Sequence, residues 1–466
     1  MKKIIAVFIA VITVMSLAAC GTNGGTSTTA PQGQTATSTG TQGKKTEIYF
    51  LNFKPEAAEV YDRIAADYEK ETGVKLKVVT AASNTYEQTL TGEIAKSDAP
   101  TIFQINGPVG FRAWKKYCAD LKDTKFYSFL TDKSLAITED GGVYGIPYVI
   151  EGYGIIYNEE ITDKYFALGD KKTELTSMAQ INSFKALKEL VEDMQAHKDE
   201  LGIDGVFAST SMASGNQWRW TTHLANVPFY YEFSENGEYS DTVSAALDAP
   251  ETEFKYSDNM KNLFSLYTDN SVTEKKLLGS KSVADSMSEF ALGKAAMVQN
   301  GTWAWSEIAD VAGNTVKEDK IKFLPLYTGV DGEEKQGLCV GTENYLAVNS
   351  TVSEEKQKAS VDFLEWLFGS ETGKKYVVNE LNFVTPFNTF DEDELPKEPL
   401  AAELVKWTAK KDIKSVPWTF AAFPGDAFKS DFASALLSFV QGSAEWDEVK
   451  NTVRNSWKDE YEALNS

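Results

Sequence analysis

The sequence predicts an α/β protein with a mostly parallel sheet and more than one core. Three observations carry this reading. Between residues 46 and 106, strand and helix patterns alternate as βαβαβ. From residue 46 onward ~420 residues remain, more than one hydrophobic core usually holds, so two domains are expected. A hydrophobic fraction of 42% and an aromatic fraction of 12% describe a well-filled interior.

Thr46 to Phe53 has the composition of a strand. Pro55 to Glu71 places Val60, Ile64 and Tyr68 on one helical face, and Gly73 is a usual stop signal. Val74, Leu76 and Val78 alternate with lysines, as a half-buried strand does. Ser83 or Asn84 caps a second helix carrying Tyr86, Leu90 and Ile94, and Pro100 introduces a strand over Thr101–Ile105. Ligands of such sheets bind at the carboxyl ends of the strands. Here those ends are Asn52-Phe53-Lys54-Pro55-Glu56 and Asn106-Gly107-Pro108.

Tyr144 to Tyr157 joins two β-rich runs through Glu151-Gly152-Tyr153-Gly154, where glycines imply a bend or a close backbone approach. Residues 183–196 form an amphipathic helix, and 215–233 are unusually aromatic. A helix through Met287 and Phe290 leads into a strand at Ala295–Val298, and Lys322–Tyr327 is another strand. Ser353 caps a helix with Glu354 and Glu355 in its first turn, favourable at the positive helix end. The C-terminal stretch is helical through Val449, Val453, Trp457 and Tyr461.

Ahead of residue 46 the chain differs in kind. Lys2 and Lys3 precede a short apolar stretch, Ile4–Leu17, too short to span a bilayer but suited to a signal peptide. It ends in Leu17-Ala18-Ala19-Cys20-Gly21, which resembles a bacterial lipobox. Residues 1–19 are therefore expected to be a signal peptide. Cys20 is the expected lipid attachment point, and residues 20–45 a Gly-, Ser- and Thr-rich tether reaching roughly 25–30 Å. An ordinary secretory signal containing a cysteine is the alternative. A lipid-anchored protein on the outer face of the cell membrane fits a cell lacking an outer membrane.

The net charge of −22 argues against nucleic-acid binding and against lying flat on anionic lipid; membrane contact is expected through the lipid alone. Two histidines, no HExxH, no CxxC and no phosphate loop leave a poor inventory for zinc or triad chemistry, and no cofactor or metal is expected. Cys118 and Cys339 are read either as a disulfide or as separate buried thiols.

Four segments in order resemble the family of extracellular solute-binding proteins that serve carbohydrate ABC importers, which includes the maltose-binding proteins. They are PTIFQIN at 100–106, YGIPY at 144–148 with Ile156-Tyr157-Asn158, GKAAMVQNGTWAW at 293–305, and the capped helix at 353–368 followed by Thr372-Gly373. The resemblance implies a two-lobed fold, each lobe a sheet flanked by helices, with a ligand cleft at the hinge. It implies lobe 1 at 46–152 plus 325–377 and lobe 2 at 153–324 plus 378–466, with crossings near Glu151, Phe323 and Tyr376. It also implies a monomer that binds a carbohydrate and meets ABC permease subunits, with no chemistry of its own.

Sugars present flat C–H faces rimmed by hydroxyls, which Trp and Tyr rings and planar polar groups complement. By its match to the family's Asn-Gly-X-Trp segment, Trp303 is a candidate stacking residue; Thr302 departs from the proline of the maltose-binding pattern. Trp305 and Trp220 are each read as ligand contact or core, and Trp218 with Arg219 as a ring and a guanidinium suited to polyols or a carboxylate. Glu56, Asn106, Glu151 and Tyr153 are expected at the cleft rim. Glu56 also suits a helix first turn, and Glu151 a hinge salt bridge. Asn344 faces the cleft or forms a turn, and Trp418 stacks on ligand or packs the last helices. A polyamine ligand and an extracellular glycoside hydrolase using Glu56 and Glu151 are the rival readings.

Overall fold

The computed structural model describes residues 46–82, 85–234, 242–342, 344–391 and 393–465. Cys20, the tether and the expected caps Ser83 and Asn84 lie outside the described residues. The strands are β1 (Glu47–Asn52), β2 (Lys75–Thr80), β3 (Ile102–Asn106), β4 (Ile137–Glu139), β5 (Gly142–Pro147), β6 (Glu151–Asn158), β7 (Gly205–Phe207), β8 (Ala295–Gly301), β9 (Ile321–Leu324), β10 (Gln336–Gly341), β11 (Asn344–Val348) and β12 (Lys414–Val416).

These strands form two sheets. The first runs β2-β1-β3-β11-β5-β4, with β1 parallel to β2 and β3 and with β11 antiparallel to β3 and β5. Its alternating side chains feed two cores, as a pleat of period two requires. Ile48, Phe50, Ile102 and Val348 meet Phe363 and Phe368 on one face. Leu51, Phe103, Ile105 and Ala347 meet Tyr86, Leu90 and Phe111 on the other. The second sheet runs β12-β10-β6-β8-β7, with β9 also paired to β6. Ile155 faces the larger core of this lobe and Ile156 the smaller.

Local signals explain the element ends. Pro55 opens a 3₁₀ turn that passes into the helix Ala58–Thr72, closed at Gly73. Its buried face is Tyr61, Ile64 and Tyr68, with Tyr61 in place of the expected Val60. The expected strand at 322–327 stops at Leu324, because Pro325 has no N–H to give the ladder. Ser183 caps Phe184–Ala196 and Ser353 caps Glu354–Gly369 through their hydroxyls. The aromatic run at 215–233 becomes a π-helical turn, Arg219–Leu224, leading into the helix Ala225–Phe233.

The chain changes sheet at Tyr148–Ile150, between Gly341 and Asn344, and a third time between Phe387 of the first lobe and Leu400 of the second. Two expected crossings are thus corrected. Phe323 lies within β9, hydrogen-bonded opposite Ile156, and β10 continues the second sheet by pairing Cys339 with Tyr153. Tyr376 lies inside the helix Glu371–Asn379 and donates to Asp67 at 2.8 Å, while Leu381 and Phe383 still pack in the first core. Residues 326–341 therefore go with the second lobe and 378–387 with the first. Ile150, in the first crossing, bridges Val384, just ahead of the third.

Strand β6 is buried at all eight positions. A Cβ on Gly154 would lie 2.2 Å from the Leu324 carbonyl oxygen, so β6 and β9 can pair only with glycine there. Gly154→Ala is expected to destabilise the fold by about 1–3 kcal/mol. A urea titration would show this as a lower midpoint at unchanged slope.

Candidate functional site

The site begins where β1 ends. Asn52 folds the following turn by donating to the Lys54 carbonyl at 2.7 Å and accepting from the Lys54 N–H at 3.1 Å. Lys54 is thereby aimed at the start of β6, where its ammonium lies 2.7 Å from Glu151. Both side chains are more than nine-tenths buried. Glu56, less buried, stands 3.6 Å from the same ammonium. A charge withdrawn from water this far persists only when paired. Glu151 is thus the hinge ion-pair partner, and Glu56 joins the same cluster.

Beside this pair is an inter-lobe cavity of about 100 Å³, lined among others by Glu56, Glu151, Trp303, Trp305, Phe383 and Glu398. It brings first-lobe and crossing residues against both tryptophans of the Asn300–Trp305 segment. Glu398 heads the helix Pro399–Thr408, accepting from the Leu400 and Ala401 N–H groups, and burial pushes its carboxyl up to about 7. Trp303 folds back over the end of β8. A Cβ on Gly301 would overlap its ring at 2.2 Å, so glycine is needed for the ring to lie there.

Next to Trp303 the second lobe carries a continuous aromatic patch. Tyr153 stacks on His223 with centroids 4.0 Å apart and planes at 12°. His223 lies 4.8 Å from Trp218 and 5.5 Å from Trp303, and the two tryptophans are 6.1 Å apart. Trp418 extends the patch at 5.5 Å from Tyr153 and 5.1 Å from Phe420. Trp218 and Trp303 are half-buried, whereas Tyr153 and Trp418 are covered. Burial, reinforced by the charge of Arg219, drives the His223 imidazole well below its ordinary pKa, so it is a neutral ring at pH 7. The Arg219 guanidinium lies 4.0 Å over the Trp218 ring.

The first lobe faces this patch through the carboxyl end of β3. Asn106 stands opposite Asn344 in the β3–β11 ladder and makes no capping bond to the helix Gly107–Trp114. Asn344 is buried, and its Oδ1 has no partner among the described residues. The lobes touch along this rim. The Ala421 carbonyl lies 3.1 Å from where a side chain on Gly107 would begin, and Arg112 lies 3.5 Å from Asp248.

Of the residues singled out in the sequence, Tyr153, Trp218, Arg219, Trp303 and Trp418 are brought together in the patch, and Glu56, Glu151 and Trp305 around the hinge cavity. Asn106 and Asn344 sit at the opposing rim. For Trp220 the structure selects the core alternative: it is 1% exposed and wedged edge-on against Phe264 and Tyr267. His223 and Phe420 were missed. Each sits inside an aromatic run, and that run was the available signal. Cys118 and Cys339 are separate buried thiols, one in each lobe, both pushed up to about 12 by burial. Among the described residues one acid–histidine cluster, Asp170, His197 and Glu200, lies near the end of the helix Phe184–Ala196.

Breaking the hinge pair tests its weight. Lys54→Met should lower stability by about 3–5 kcal/mol, because Glu151 is left buried and unpaired. Lys54→Met/Glu151→Leu should recover much of that loss in the same urea titration.

Known proteins share this architecture. The chain is 24% identical over 434 residues to the maltodextrin-binding protein MdxE of Bacillus subtilis, an alignment covering 90% of this chain and 92% of that protein. Its fold is similar to a chitin oligosaccharide binding protein (TM-score 0.68, 18% identity, 90% of this chain and 100% of that one). It is likewise similar to a sugar transporter protein of Bacillus licheniformis in complex with stachyose (TM-score 0.62, 18% identity, 90% and 100%). The family model described as bacterial extracellular solute-binding protein matches residues 63–403, and with the two-lobed fold and its inter-lobe site this chain belongs to that family.

Proposed function

We propose that this protein is the substrate-binding component of an ABC importer. It captures an oligosaccharide between its lobes and delivers it to the permease, performing no chemistry itself. The observation that carries this reading is the aromatic patch in which the half-buried rings of Trp218 and Trp303 lie 6.1 Å apart, backed by the covered rings of Tyr153 and Trp418, together with the amides of Asn106 and Asn344 paired at the end of β3. Stacked rings match the C–H faces of sugars, and the amides match hydroxyls. The sugars named for its relatives, maltodextrin and stachyose, are of the same class. A glycosidase would need a carboxyl pair placed across a substrate, whereas Glu56 and Glu151 both contact one lysine. A polyamine is disfavoured by the positive charge of Arg219 beside the patch, which no hydrogen bond engages among the described residues.

A thermal-shift panel of oligosaccharides on the purified chain tests the assignment. A true ligand at a hundredfold excess over its Kd stabilises by about 2.7 kcal/mol. Trp303→Ala should abolish that gain, while silence across all sugars with a response to amino acids or polyamines would refute it.

The same proposal holds the protein at the outer membrane face by lipid on Cys20, keeping captured sugar beside the importer. Cys20→Ser should move the protein from the membrane fraction to the medium, and unchanged membrane retention would rule the anchor out.

A further inference from the structure

Arg219 is 0% exposed, and its Nε, Nη1 and Nη2 have no hydrogen-bond partner among the described residues. A guanidinium is charged at any physiological pH; burial lowers this one only to about 10. Its contact is the face of Trp218, 4.0 Å away. Stacking uses the face of the guanidinium and leaves the N–H edge, the part whose fork matches a carboxylate or phosphate. The carboxylate whose field reaches it is Glu307, in the helix after Trp303, and no hydrogen bond or ion pair joins the two. Lys54, the other buried cation of the site, is by contrast engaged by Glu151.

Two further features set this arginine apart from a core residue that happens to be charged. It opens a π-helical turn, a rare backbone form that is frequent at functional sites, with Trp218 just before it and His223 within the same turn. Other buried polar groups nearby also lack partners among the described residues: both amide atoms of Gln299, at the end of β8, and His223 Nδ1. Gln299 is two residues from Gly301, on which Trp303 rests, so these groups and the patch share one side of the lobe. A buried charge without a partner is costly, and an oppositely charged ligand group offsets that cost in a way a neutral hydroxyl does not.

We infer that the saccharide bound here is acidic: its anionic group pairs with the edge of Arg219 while its ring stacks on Trp218 and Trp303. The inference rests on the sugar-binding reading above and narrows the substrate class to uronate-containing or phosphorylated oligosaccharides.

Calorimetric titration of the purified full-length chain tests this with matched pairs. Uronate oligosaccharides are compared with their carboxyl-reduced counterparts, and phosphorylated disaccharides with the unmodified sugars. The expected result is at least tenfold tighter binding of one acidic set than of its neutral match. Whichever set shows the preference identifies the acid group. Arg219→Gln should erase the preference; if that variant melts early, Arg219→Lys, which keeps charge without the fork, should reduce it. Neutral sugars binding as tightly as acidic ones would overturn the inference and leave the sugar assignment standing. Silence from every sugar would overturn both. A preference that survives in a folded Arg219→Gln would also refute it, because the acid group would then be read elsewhere.

Discussion

Strand β6 positions both lobes and the floor of the cleft. It leaves the first lobe through Tyr148–Ile150, enters the second sheet at Glu151, and is flanked by β8 on one side and by β9 and β10 on the other. Burial along its whole length obliges every backbone polar group to be paired, so its register allows little slack. The Lys54–Glu151 pair fixes its first residue to the end of β1. Tyr153, two residues on, points into the larger core of the second lobe and supports His223 from below. A strand held this tightly makes a reference surface against which the aromatic patch is assembled.

The patch is built by convergence from four distant stretches of chain. Tyr153 comes from β6, Trp218 and His223 from the π-helical turn, Trp303 from the end of β8, and Trp418 with Phe420 from the segment after β12. Each ring has several ring neighbours, so the geometry is over-determined and is set before any ligand arrives. A ligand seated there would require little ordering of side chains, which is one of the costs that weaken association.

Much of this was legible in the sequence, and the failures have physical causes. The βαβαβ opening, the Ser353 cap and the strand at 295–298 follow from periodicity and local hydrogen bonding, and the structure contains them. Gly154 was readable as a close approach, because a glycine inside a β-branched run has few other uses. The lobe boundaries were less so. A strand's composition records that it is buried and not which sheet it joins, so β9 and β10 looked like exits from the second lobe until their ladders with β6 were seen. Trp218 and Trp220 have equal claims by composition. Only the π turn, whose wider repeat no helical wheel anticipates, decides that Trp220 faces Phe264 and Tyr267.

The two unpaired thiols bear on how such a protein would survive outside the cell. Cys118 and Cys339 sit in different cores, and burial keeps each in the unreactive protonated form. Neither lobe depends on a covalent cross-link, so maturation would need no thiol oxidase or isomerase. Neighbouring copies crowded on one surface would have no exposed sulfur among the described residues through which oxidants could couple them. The two interiors would thus resist redox fluctuation by exclusion.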